Sequence, residues 1–340
     1  MTPQVTAVVG ACARERHSYA RRIADQNRAY LLPAQEIAGG DLTVEQALQR
    51  ASQGPEQVAL VVEYPLQSPV LHIIGELADI TTLGELTELI CLVDAVHLLS
   101  DLCSPEHVRL ADHGNDAESV YAARAELVVT QIEYASTVVL VNTGAMGARQ
   151  LNRVLTLISH LAPKAHLDLD EPSGCRRPRA SRAKFTMEHA SAGWVSLLNG
   201  DFAPQFQDSA VVALRYEQLR PFHPERLDAL MRRLLKHNAS GLLRSAGFCH
   251  LASRGHITAH WSHVGSRLTL FPAAFDRQYT AEDEPLAFGQ DLALIGIGLE
   301  PEQVMAGFDD AALTDQELTG GPALWATFED PFPEWRTVDR

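Results

Sequence analysis

Four stretches of this chain carry residue types whose spacing bears on chemistry. The first starts at Gly10, where Gly-Ala-Cys-Ala-Arg-Glu-Arg-His-Ser follows a short apolar run and leads into a helical pattern. A phosphate-binding loop, G-x-x-x-x-G-K-[ST], belongs in such a place: glycines let backbone N–H groups wrap the phosphates, the lysine reaches the outer ones, and the hydroxyl holds Mg²⁺. Here the second glycine is Glu15, the lysine is Arg16 and the hydroxyl is His17. A carboxylate repels a phosphate, and a side chain at that position removes the close backbone approach. Arg16 keeps a charge for an anion, and Ser18 supplies the hydroxyl only if the register slips by one. As a catalytic device the loop reads as broken.

Two groups of histidine and cysteine come next. His97, Cys103, His107 and His113 lie in one stretch, and Cys103 and His107 have an i, i+4 spacing that zinc can use on a helix. Pro105 reads as a helix start, which would leave Cys103 outside it and the group as ordinary surface residues. In the second group Cys249 and His250 precede His256, His260 and His263. With a strand over Gly255–Ser262, His256 and His260 share a face and His263 points away. A cross-strand metal site from His256, His260 and one of Cys249 or His250 is then feasible; the alternative is a half-buried strand of hydrogen-bonded histidines. His223, in a Pro-Phe-His-Pro turn, reads as a structural hydrogen-bonding residue. The fourth stretch is basic: Arg176, Arg177, Arg179, Arg182 and Lys184, with no negative charge among them. It reads either as a solvated linker balancing Asp168, Asp170 and Glu171, or as an anchor on RNA or another anionic surface. No aromatic residues interleave with it, so base-specific reading is not expected.

The elements that must position these residues follow from apolar periodicity. Thr6–Val9, Ala29–Leu32, Gln57–Tyr64, Leu89–Val96 and Thr137–Val141 read as strands, with helical material such as Tyr19–Asp25 and Ala117–Tyr134 between them. Apolar strands alternating with helices indicate a mostly parallel sheet covered on both faces. Further on, a strand at Val211–Tyr216 leads to a turn flanked by Pro221 and Pro224. From Glu225 a helix buries Leu227, Leu230, Met231, Leu234 and Leu235. The run Gly241–Gly247 then leads into a strand at Phe248–Ala252, giving a smaller α+β domain. At 340 residues the chain suits two domains. A formal charge of −15 argues against broad binding to nucleic acid or anionic membranes. No signal-like start or apolar run near 18 residues is present, and five scattered cysteines form no framework, so a cytoplasmic protein is expected.

The order Arg220-Pro221-Phe222-His223-Pro224-Glu225-Arg226-Leu227, then Gly241-Leu242-Leu243-Arg244-Ser245-Ala246-Gly247-Phe248, resembles the C-terminal domain of CobW-type proteins. Gly193-Trp194, Leu198-Asn199-Gly200, Leu294–Leu299, Leu313-Thr314-Asp315 and Asp330-Pro331-Phe332-Pro333-Glu334-Trp335 match its other segments in order, over roughly 193–335. The resemblance implies a P-loop GTPase-like domain at 1–170, a basic linker and connecting helix at 171–207, and a CobW C-terminal domain at 208–335. It also implies a Glu-x-x-Gly switch, found here as Glu63-Tyr64-Pro65-Leu66 without its glycine. A guanine reader Asn-Lys-x-Asp is implied as well. Its preceding segment, Gln131-Ile132-Glu133-Tyr134-Ala135, is intact, but the reader itself is Asn142-Thr143-Gly144-Ala145. The family's Cys-x-Cys-Cys metal site is absent, since 33–57 holds no cysteine.

The resemblance places the chain in zinc-related physiology, where some relatives act with ribosomes. The reading is a GTPase-deficient adaptor in which Gly10, Arg16, Ser18, Glu63 and Asn142 are vestiges of a nucleotide site. GTP and Mg²⁺ are not expected, zinc is the metal implied, and the partner is a protein or ribonucleoprotein. On this reading Arg16→Ala is silent in function. The alternatives are a GTP-dependent zinc or cobalt metallochaperone with an eroded loop, using Arg16, Ser18 and the Cys249/His250/His256/His260 group, and a structural paralogue that pairs with an intact GTPase.

Overall fold

A computed structural model describes residues 3–40, 42–52, 59–79, 81, 83–110, 120–170, 185, 192–236, 241–275 and 289–335. The chain divides into two compact units, Met1–Ala192 with Pro204–Phe206, and Gly193–Ala203 with Gln207–Arg340.

In the first unit the elements run β1 (Gln4–Gly10), α1 (Ala13–Asn27), β2 (Tyr30–Leu32), α2 (Ala34–Gly39), α3 (Val44–Ser52), β3 (Leu60–Glu63), α4 (Val70–Asp79), β4 (Glu85–Asp94), α5 (Leu98–Leu102), β5 (His107–Arg109), β6 (Tyr121–Ala123), α6 (Arg124–Glu133), β7 (Thr137–Val141), α7 (Ala148–Leu161) and β8 (His166–Leu169). Six strands form a parallel sheet in the order β2-β3-β1-β4-β7-β8. Strands such as Leu-Val-Val-Glu and Thr-Val-Val-Leu-Val are buried along their whole length, which parallel pairing under helices requires. After β1 the chain moves towards β2; after β3 it crosses back past β1 to β4. The sheet therefore reverses its winding at β1, and the carboxyl ends of β1 and β4 form the crevice where such sheets take ligands. Gly10, Glu63 and Asp94 end β1, β3 and β4, and Asn142 follows β7.

The second unit runs α8 (Gly193–Asn199), β9 (Val211–Gln218), α9 (Pro224–Leu235), β10 (Leu242–Cys249), β11 (Ile257–Val264), β12 (Arg267–Phe275), β13 (Gln290–Ile297), α10 (Pro301–Ala311) and α11 (Asp315–Trp325). Its sheet is antiparallel, ordered β12-β11-β10-β13-β9. One face carries Tyr216, Leu292, Leu294, Cys249 and Trp261, packed with Leu227, Leu230 and Met231 of α9 and Val304 and Phe308 of α10. Tyr216, Phe222 and Phe308 lie 5.1–6.1 Å apart by ring centroid; such aromatic pairs each add about 0.5–1.5 kcal/mol beyond burial. Helix α8 packs against β13 and β10 and so belongs to this unit, where the sequence reading placed a connecting segment.

Three expectations about the elements need correction. The run 241–247 does not merely lead into a strand at 248–252: β10 begins at Leu242, runs on through Gly247 and ends at Cys249. Gly247 sits at φ 145°, where an added Cβ would lie 2.1 Å from the Asp291 carbonyl oxygen, so the glycine permits close strand pairing. Residues Gly255 and His256 form a turn, and β11 begins only at Ile257. Pro105 starts no helix; α5 has already ended at Leu102, and His107 opens the short β5–β6 ribbon.

Candidate functional site

Helix α1 shows how the carboxyl edge of the first sheet is filled. Tyr19, Ala20, Ile23 and Ala24 form its packing stripe against the sheet, and Arg16 lies one turn earlier on the same stripe. Its guanidinium is therefore directed under the helix, where only 4% of the residue is exposed. A charge so placed needs an anion. Glu63, 2% exposed at the end of the neighbouring strand, provides it. Arg16 Nε donates to Glu63 Oε1 at 3.0 Å, and Arg16 Nη1 donates to the Gly10 carbonyl at 2.5 Å. His17 Nδ1 lies 2.8 Å from Glu63 Oε2, which also accepts from the Ala34 N–H at 3.4 Å.

These residues do not fit a nucleotide with Mg²⁺. Gly10 keeps its role, at φ 138° with an added Cβ 2.4 Å from the Leu92 carbonyl oxygen. The cation that should meet phosphate is committed to Glu63, an imidazole replaces the metal-binding hydroxyl, and Ser18 is exposed on the outer side of α1. Glu15 adds negative charge in the first turn of that helix. Cys12, which precedes α1, has its thiol pushed up to about 12 by burial and by Glu15, and is no ready nucleophile.

Beyond β4 a second polar group forms. Asp94 Oδ2 accepts from Asn142 Nδ2 at 2.9 Å and lies 2.8 Å from His97 Nδ1, while Oδ1 accepts from the Val96 N–H at 3.0 Å. Burial raises the Asp94 carboxyl, but the hydrogen bonds from His97, Asn142 and Val96 outweigh it and hold the group below its ordinary value. The exposed His97 is raised by that same carboxylate. Asn142, in the left-handed region at φ 60°, is thus a strut between β7 and β4. Gln131 is 1% exposed and has no hydrogen-bond partner for either amide atom among the described residues. It lines a small cavity with Ala11, Asp94 and Asp101. Sequence reading missed Asp94 because it ran that strand on to Val96; a carboxylate ending a buried apolar run was the available signal.

The cross-strand metal group is not assembled. Phe248 pairs with His260, and Cys249 with Ala259, so Cys249 and His260 occupy opposite faces of the sheet. Cys249 is buried in the core, which pushes its thiol up to about 12. His250 is committed through Nδ1 to the Gly289 carbonyl and through Nε2 to Thr258 Oγ1, both at 2.9 Å. His256 is exposed in the turn before β11. His260 stacks on Phe271 at 4.6 Å with the edges of Trp194 and Phe248 around it; burial, aided by Arg244, lowers it to about 4. His223 stacks on Phe328 at 4.3 Å, and its buried Nδ1 has no hydrogen-bond partner among the described residues, contrary to the expected hydrogen-bonding role. In the other group Cys103 follows α5 as its C-cap and His107 is exposed on β5, on no common helical face; His113 lies outside the described residues. Among the described residues no three His, Cys, Asp or Glu side chains are grouped to hold a metal ion. Arg176, Arg177, Arg179, Arg182 and Lys184 also lie outside them.

The geometry defines a class: a P-loop-like parallel α/β unit followed by a separate antiparallel α+β unit. Residues 211–312 match the family model of the cobalamin synthesis protein cobW C-terminal domain, and the chain carries that CobW C-terminal domain. The chain is similar to the zinc-regulated GTPase metalloprotein activator 1 of Dictyostelium discoideum, 24% identical over 283 residues, covering 76% of this chain and 58% of the relative. It is also similar to a zinc chaperone of Mycobacterium tuberculosis, 25% identical over 235 residues, covering 62% of this chain and 54% of the relative. It therefore spans little more than half the length of these curated relatives. Among solved structures, the zinc(II)-bound YjiA GTPase of E. coli aligns over 92% of this chain and 100% of its own, at 14% identity and a TM-score of 0.37. No helix among the described residues is long and apolar enough to cross a membrane.

Proposed function

We propose that this chain is a binding protein of zinc homeostasis that works without nucleotide, its first unit serving as a scaffold. The zinc setting rests on the CobW C-terminal domain and on the names of the relatives, a zinc-regulated activator and a zinc chaperone. The observation that carries nucleotide independence is the Arg16–Glu63–His17 group, which uses up internally the cation a phosphate would need. The partner in this reading is a cytoplasmic protein or ribonucleoprotein, and the basic run 176–184 is its contact on an otherwise acidic chain. The competing reading, a GTP-dependent zinc metallochaperone, draws on the same relatives. It needs Ser18 as a Mg²⁺ ligand and a metal group at Cys249, His250, His256 and His260, and the geometry supports neither.

Calorimetric titration of the whole chain with GTP and Mg²⁺, with and without one equivalent of zinc, tests the proposal. No binding heat in either titration is the expected result. Micromolar binding would reinstate the metallochaperone. For the partner, charge reversal across Arg176–Lys184 should abolish co-sedimentation with ribosomes or capture of a protein partner at moderate salt. Retention after reversal would remove the basic run as the contact.

A further inference from the structure

Glu63 does more than pair with a stray arginine. It ends β3 opposite Val8 of β1, so its carboxylate crosses from one strand to the turn that follows the next. There its two oxygens receive Arg16 Nε, His17 Nδ1 and the Ala34 N–H, while the second arm of Arg16 grips the Gly10 carbonyl. An anion held by an arginine and a second nitrogen donor at the start of a helix is the environment that a bound phosphate oxygen would have. The segment that follows is fixed as well. Tyr64 N–H donates to the Val8 carbonyl at 2.9 Å, and its hydroxyl bonds Glu76 of α4 at 3.1 Å. Tyr64, Leu66, Ser68 and Val70 are all buried. A connection that responds to phosphate has to be released when the phosphate leaves, so it needs few contacts of its own. This one is packed from end to end.

We infer that the Glu63 carboxylate is a built-in anion that occupies the phosphate place from within and latches the β3–α4 connection to α1 in one permanent state. The inference rests on the proposed nucleotide-independent function and adds its cause: removing the charge of one side chain frees Arg16 and opens an anion site. The ligand class admitted is a small phosphate-type anion. Glu15, still in the first turn of α1, opposes an anion bound there and weakens its affinity.

The test uses the whole chain and inorganic pyrophosphate, with sodium chloride at matched ionic strength as control. Pyrophosphate should leave the melting temperature of the natural chain at its salt-control value. Glu63→Gln should melt lower on its own and rise by roughly 2–4 °C at about ten times its dissociation constant. The double variant Arg16→Met/Glu63→Leu should show no pyrophosphate response, which assigns the response to Arg16. A folded Glu63→Gln chain that ignores pyrophosphate overturns the latch, as does a natural chain that responds equally. If Glu63→Gln does not fold, hydrogen exchange on the natural chain decides. Amides of residues 13–17 and 63–69 should exchange alike with and without pyrophosphate; a change in their protection overturns the proposal. The two failures are separable. GTP binding by the natural chain sinks the proposed function, whereas an unresponsive Glu63→Gln beside a GTP-silent natural chain sinks only the latch.

Discussion

At the scale of residues, the Arg16–Glu63 pair revises the idea that both are idle vestiges. Their side chains are 5% and 2% exposed, so each charge depends on the other. Taking away one partner leaves a buried charge with only its lesser partners, His17 and the Ala34 N–H for Glu63 or the Gly10 carbonyl for Arg16. Breaking a buried pair costs up to about 3–5 kcal/mol, while replacing both with well-packed apolar groups is often neutral. Arg16→Ala should therefore lower the urea-unfolding free energy of the first unit by several kcal/mol, although it is expected to be silent in function. Arg16→Met/Glu63→Leu should recover most of that loss. If Arg16→Ala proves as stable as the natural chain, the pair is not holding the sheet edge. The losses of glycine, lysine and hydroxyl were legible as letters in a motif. Their replacement by an internal salt bridge was not, because Arg16 and Glu63 are 47 residues apart and meet only through the pairing of β1 with β3. One local clue existed: Arg16 falls on the stripe of Tyr19, Ala20 and Ile23, so it had to face the sheet.

At the scale of elements, what sequence reading recovered and what it missed divide along a physical line. Fully buried parallel strands such as β1 and β7 stand out as β-branched runs, and α9 shows its apolar stripe plainly. Its reading of β10 failed because glycine has two uses: it breaks elements, and it also lets neighbouring backbones approach inside a sheet. At the end of the chain, 330–335 stands out in the sequence only as a match to the closing segment of CobW-type proteins. In the structure Arg254 fixes it. Nε donates to Asp330 at 2.8 Å, the two terminal nitrogens donate to the Pro333 and Phe332 carbonyls, and the guanidinium lies 4.3 Å from the Trp335 ring centroid. Trp335 Nε1 in turn donates to the Leu270 carbonyl at 3.0 Å. Arg254→Ala should release this strap, shifting tryptophan emission to the red and opening the segment to protease, at a cost of roughly 2 kcal/mol. Arg254→Lys should not rescue it, since an ammonium cannot present the planar fork that reaches three oxygens and stacks on indole. Rescue by lysine would mean that charge alone holds the strap.

At the scale of the whole molecule, the two units should answer acid differently. The second unit buries His263 completely and packs His260 among Phe271, Trp194 and Phe248; burial chiefly, with Arg244 adding repulsion, lowers both to about 4. His263 also bonds the Gly265 carbonyl through Nε2, which raises it, though not enough to offset burial. In the unfolded chain these rings titrate near their ordinary value, about 6.5. Between about 6.5 and 4 the unfolded state thus binds more protons than the folded one. The stability these rings contribute is complete above 6.5 and is lost as pH falls through 4, on the order of 3 kcal/mol for each ring. A second loss follows lower down. Glu317 is held at about 2 mainly by its hydrogen bonds from Arg226, so it withdraws stability as pH drops from the ordinary carboxylate range towards 2. The first unit has His160 lowered by burial, and its exposed His97 is raised by Asp94, which acts in the opposite direction. All four tryptophans, Trp194, Trp261, Trp325 and Trp335, lie in the second unit, so their fluorescence isolates its unfolding. The midpoint urea concentration read from tryptophan emission should fall steadily from pH 6.5 to pH 4. His260→Phe, which keeps a ring against Phe271 and removes the titrating group, should flatten about half of that slope. A midpoint that stays level over this range would show that the two rings are not held neutral in the folded unit.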